Sequence, residues 1–163
     1  MRFTIGFLAW KVVRGSFTAL SGTIVDCDDA TRCQGELTIP VATMRTGNRL
    51  RDRHLRSSHY LDGRRFPEMT FRATTVRLDG GRTMVAGMLT IRGVTRALEV
   101  EVARARARIT SPARDDRVRL RASVQIDRSA FGVRGAGILG LADRLIDRIV
   151  HCEIDLEAMR MEA

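Results

Sequence analysis

The chain has 163 residues with 44% hydrophobic and 29% charged content, the length of one domain and too apolar for intrinsic disorder. Lys11 is the only lysine, so 27 residues are arginine, and the formal charge is +9. The longest uncharged stretch, residues 15–25, is eleven residues long, well short of the roughly 20 that a membrane-spanning helix needs.

Most of the chain has a period of two. Residues 2–13, 15–26 and 34–43 each read as strands, separated by Arg14-Gly15 and by DCDDATRC. Residues 46–58, TGNRLRDRHLRSS, break the pattern. Thr46 or Asn48 is a candidate N-cap, and Leu50 and Leu55 fall near one helical face, so a short helix is expected there. The irregular HYLDGRRFP that follows would lie over one mouth of a barrel. Asp79-Gly80-Gly81 between MTFRATTVRL and TMVAGMLTI reads as a tight hairpin, and Ile91-Arg92-Gly93-Val94 as another reversal. Leu98, Val100 and Val102 oppose Glu99 and Glu101. The apolar phase then passes to Ala103, Ala105 and Ala107 against Arg104, Arg106 and Arg108, which predicts a β-bulge near Val102. Val118, Leu120, Ala122, Val124 and Ile126 face away from Arg117, Arg119 and Arg121, and Val150 to Leu156 repeat that alternation. About eight strands in hairpin order predict an all-β barrel or sandwich.

Several motifs carry chemistry in other contexts. Residues 135–140 form a GxGxxG with Asp155 twenty residues beyond the first glycine. A dinucleotide-binding first strand is buried on both faces, whereas the strand before this motif carries arginine at alternate positions, so a glycine-rich loop is the better reading. Cys27, Cys33 and Cys152 form no CxxC, and His54, His59 and His151 have no zinc spacing, so no metal is expected. Cys27 and Cys33 could face each other across a turn, but an odd count without a signal peptide favours free thiols. The N-terminal MRFTIGFLAW is too short and wrongly flanked for a signal peptide, so a cytoplasmic protein of one domain, 1–163, is expected.

Arg51-Asp52-Arg53-His54 gathers titratable groups on the short helix. Asp52 and His54 are two residues apart and point in different directions on a helix, and no nucleophile is placed beside them, so catalytic residues are not assigned. The ordinary reading pairs Asp52 with an arginine to hold the helix. A functional reading gives Arg51 and His54 to a ligand head group. Arg104, Arg106, Arg108, Arg117, Arg119 and Arg121 should project from one outer face of two adjacent strands. Like charges across a strand pair repel, so carboxylates or an external anion must offset them. That anion could be a membrane surface or nucleic acid. Aromatic residues are only 5%, and none lies between Arg72 and Arg128, so that stretch offers bases no stacking platform.

Five motifs in order carry a resemblance. They are TGNRLRDRHLRS (46–57), Tyr60-Leu61-Asp62, RFPEMTF (65–71), GMLTIRGVTR (87–96) and IDRSAFGV (126–133). Together they resemble the YceI-like family over nearly the whole chain. The chain departs from the family where it starts, at Met1 within what would be the first strand, and where Phe7 stands near a histidine of many members. The resemblance implies an eight-stranded antiparallel lipocalin-like β-barrel, with the short helix after the third strand. It also implies a non-catalytic carrier or storage protein for a long apolar ligand, such as a polyisoprenoid, a quinone tail or a fatty acyl chain. No cofactor other than such a lipid is expected.

Alternation and motif position together suggest Phe3, Phe17, Met44, Phe66, Phe71, Leu89 and Phe131 as apolar lining, although each is also ordinary core. Small inward residues, Ala103, Ala105, Ala107, Ala122 and Gly87, would leave room for the ligand. A homodimer is compatible with this reading. The alternative is an arginine-faced barrel that binds nucleic acid or an acidic protein.

Overall fold

A computed structural model describes residues 1–7, 11–25, 34–79, 82–105, 117–134 and 145–159. In chain order these hold β1 (Arg2–Phe7), β2 (Lys11–Phe17), β3 (Ser21–Val25), β4 (Gln34–Pro40), a 3-10 turn (Val41–Thr43), β5 (Met44–Arg45) and α1 (Arg49–Leu55). Then follow β6 (Glu68–Asp79), β7 (Arg82–Ile91), β8 (Val94–Ala105), β9 (Arg117–Asp127), a second 3-10 turn (Arg128–Phe131) and β10 (Ile146–Met159).

All pairings are antiparallel and form one curled sheet in the order β3-β4-β6-β7-β8-β9-β10-β1-β2-β5. Its curvature has a covalent cause. Near one edge, β2 passes directly into β3, which is the opposite edge. Phe17 and Ser21 are only four Cα steps apart, so the two ends of the sheet cannot lie more than about 15 Å apart there.

The all-β antiparallel architecture is as expected, but the strand count is not. Ten strands are described rather than eight, and the helix follows the fifth strand rather than the third. The difference lies in the first 25 residues, which hold three strands rather than two, and in the two-residue β5. The expected strand 2–13 is a hairpin of β1 and β2, paired from Arg2↔Ser16 to Phe7↔Lys11. The expected strand 15–26 is divided between β2 and β3.

The phase change at Val102 is absent. β8 continues without a bulge, pairing Val102 with Thr83 and Ala122, and Ala103 with Arg121. Ala103 is therefore exposed rather than inward, and Arg104 takes the register position opposite Leu120. The register shifts lie instead between Ala73 and Thr75 and between Ile5 and Phe7. Between β7 and β8, Arg92 and Gly93 both have positive φ, 52° and 73°, as a two-residue hairpin turn of the I′ type requires.

Candidate functional site

One end of the curled sheet is packed solid. Phe3, Phe17, Met44, Leu89 and Phe131 are buried there in one cluster with Ile39, Val41, Tyr60, Met69 and Ile91. Phe3 and Phe17 stack at 5.7 Å between ring centroids. Five of the seven expected lining residues are thus core at this end. Phe71 is half-buried at its margin. Phe66 is half-buried beside the β7–β8 turn, with the Arg65 guanidinium 5.2 Å above its ring.

Gly87 does not leave the room expected of it. A Cβ there would lie 2.6 Å from the Phe71 ring, so the ring already fills the space. Gly15 accommodates Phe3 in the same way, with a Cβ position 2.3 Å from its ring.

Towards the other end, the described residues of the same inner face are less buried. Val76, Val85, Val102, Leu120, Ala122, Ile154 and Leu156 are half-buried at positions in register with the buried face. Ile24 is 48% exposed and Leu78 75% exposed. Inward apolar side chains that stay open form a surface for an apolar guest. Alternation places Val102, Ala122 and Ile154 inward, whereas Phe3, Phe17 and Phe131 of the expected lining fold into the packed end.

At the packed end, α1 is held by its own side chains. Asn48 caps it, accepting from the Arg51 amide at 3.0 Å. Asp52 is buried, and its carboxylate accepts the Thr46 amide at 2.8 Å and the Thr46 hydroxyl at 2.5 Å. Its partner is therefore Thr46 rather than the expected arginine. Arg56 instead donates to the Asp52 and Ala42 carbonyl oxygens, and Arg51 donates twice to Thr46. His54 is exposed, and its ring packs edge-on against Tyr60 at 5.1 Å. Arg51 and His54 are thus taken up by the helix and its exit rather than brought to the open inner face. On the exposed side of α1, an open groove of about 540 Å³ is lined by Arg45, Arg49, Leu50, Asp52, Arg53 and Arg56.

One group in the barrel wall, Arg128, escaped the sequence reading, whereas Cys152 falls inward as the alternation of β10 implies. Arg128 is buried, and its guanidinium donates to the carbonyl oxygens of Val133, Ile146 and Asp147 at 2.8–2.9 Å. It ties the 3-10 turn to the start of β10. Cys152, inward on β10, is a free buried thiol, and burial pushes its pKa up to about 12.

Among the described residues, several outer arginines meet carboxylates on neighbouring strands. Arg121 meets Asp155 at 2.8 Å and Arg119 meets Glu157 at 3.8 Å, as their strand pairing requires. Arg77 reaches Glu99 at 2.6 Å. Among the described residues no set of three His, Cys, Asp or Glu side chains is placed to hold a metal. Cys27, Cys33, Arg106, Arg108 and the glycine motif at 135–140 lie outside the described residues.

Comparison with known proteins agrees with this architecture. The curated YceI proteins of Escherichia coli O157:H7 and Salmonella newport are each 31% identical over 102 residues, covering 62% of this chain and 53% of theirs. The chain thus spans about half the length of those relatives. Burkholderia cenocepacia BcnA superposes with a TM-score of 0.82 at 22% identity, over 97% of this chain and 95% of its own. A polyisoprenoid binding domain from Saccharophagus degradans superposes with a TM-score of 0.70 at 16% identity, over 96% of this chain and 90% of its own. Both share the fold. The model of the YceI-like domain matches residues 1–158, which takes in all five motifs and every described strand but the last residue of β10, and on that match the chain belongs to the YceI-like family.

Proposed function

We propose that this protein binds a long apolar lipid along the inner face of its curled sheet, as a non-catalytic carrier or store. The observation that carries the reading is the inner face itself. It is mainly apolar and, among the described residues, well covered at one end, with Val76, Val102, Leu120, Ala122 and Ile154 left half-buried. Each methylene moved from water onto such a surface gains about 0.8 kcal/mol, so a chain of many methylenes binds without a dense set of polar contacts. A polyisoprenoid, a quinone tail and a fatty acyl chain all have this character. The likeness to a polyisoprenoid binding domain and the family match favour the first.

The test is native mass spectrometry of the purified protein together with organic extraction. A co-purifying lipid, and a melting temperature raised by added polyisoprenoid or fatty acid, are the expected results. Protein that carries no lipid and whose melting temperature neither addition moves would overturn the reading.

A further inference from the structure

Among the described residues, exposed arginines without an ion pair gather beside α1, with Arg14 on β2 and Arg134 the others that make no bond. On the sheet, Arg72, Arg77, Arg119 and Arg121 each meet a carboxylate. Residues 45–65, by contrast, hold seven arginines against Asp52 and Asp62, a net of +5. Asp52 is buried and committed to Thr46. Arg51 is folded back onto Thr46, Arg45 and Arg56 donate to main-chain carbonyl oxygens, and Arg65 lies over the Phe66 ring. That leaves Arg49, Arg53 and Arg64, all exposed, whose side chains make no hydrogen bond or ion pair among the described residues.

Beside two of them sits Leu50, 80% exposed. Leu50 and Arg53 are three residues apart on α1, and Arg49 and Arg53 four apart, so the three adjoin on the helix surface. They line the same open groove, with Arg45 and Arg56 along it. A bare leucine beside the unbonded Arg49 and Arg53 suits a partner with negative charge at its surface and hydrocarbon just beneath. A nucleic acid would neutralise the arginines but gives Leu50 no apolar partner.

We propose that the exposed side of α1 docks on an anionic phospholipid membrane, the arginines meeting lipid phosphates and Leu50 entering the interface. This does not rest on the reading of the inner face.

Co-sedimentation with vesicles at about 100 mM NaCl, where long-range fields are screened beyond roughly 10 Å, tests it. The wild type should bind vesicles containing phosphatidylglycerol and not those of phosphatidylcholine alone. R49S/R53S should lower the partition coefficient roughly 30-fold and L50S about tenfold. R119S/R121S on the sheet should leave it unchanged. Circular dichroism should show all three variants folded, since none of these side chains is buried. The proposal is overturned if the wild type ignores anionic vesicles, if R49S/R53S binds them as well as the wild type, or if R119S/R121S weakens binding equally. It is also overturned if single-stranded RNA binds at the same salt while the vesicles do not.

Discussion

Arg128 shows how one side chain can hold two elements together. A planar guanidinium reaches three carbonyl oxygens in fixed directions, which a lysine ammonium cannot reproduce. R128K should therefore destabilise the protein by about 2 kcal/mol or more in urea unfolding, because buried carbonyls lose charge-assisted partners. A change within experimental error would show that the lysine recovers the same contacts. The neighbouring Asp127 gives a pH signature. Bonds from the Ser129 hydroxyl, the Arg148 guanidinium and the Ser129 amide hold its pKa down to about 2, from an ordinary 3.8. The fold therefore favours the ionised form. Its contribution is present above the ordinary value and is lost as pH falls through the folded one. The stability gap between wild type and D127N should be widest above about pH 4 and should shrink towards pH 2, as read from urea midpoints. Neither role was legible beforehand. IDRSAFGV marked these residues as part of a motif, but only the return of β10 brings the Ile146 and Asp147 carbonyls to Arg128.

Among the elements, strands with strong apolar contrast were read correctly. In β9 the contrast between Val, Leu or Ile and Arg leaves no ambiguity, and its predicted span matches the observed Arg117–Asp127. β8 went wrong where the contrast faded. Alanine is small enough to sit on either face, so the Ala/Arg alternation after Val102 gave no real vote, and pairing with β7 and β9 set the register. The first 25 residues failed for a related reason. GFLAWKVV contains no turn signal at its centre, so one long strand was expected where a hairpin forms. The β7–β8 turn was read correctly because Arg92-Gly93 fits a two-residue reversal. That position is doubly constrained. Gly93 has positive φ, and a Cβ would lie 2.6 Å from the Phe66 ring. G93A should cost about 1–3 kcal/mol from backbone strain and the displaced ring, measured by thermal or chemical unfolding. A neutral result would mean that the Phe66 ring moves aside freely.

At the scale of the whole molecule, the decisive feature among the described residues is that the apolar face is buried at one end and half-buried towards the other. Ala122 lies on the half-open part, two residues from buried Val124. A122W should fill the space a guest would occupy. Co-purifying lipid should be lost while the unliganded protein keeps its melting temperature, and undiminished lipid content in A122W would place the guest elsewhere. The sequence alone determined the all-β class, through its period of two, and the family, through five motifs in order. It also showed that charge and apolar residues alternate, so that most arginines would lie outside. Only the tertiary structure decided which arginines are neutralised. Arg121 finds Asp155 and Arg77 finds Glu99 because strand register brings together residues far apart in sequence, while α1 has no neighbouring strand to supply a carboxylate. The structure likewise decided that Phe3, Phe17 and Phe131 pack into one end, because that depends on which side chains the sheet brings together from distant strands, and no single strand contains that information.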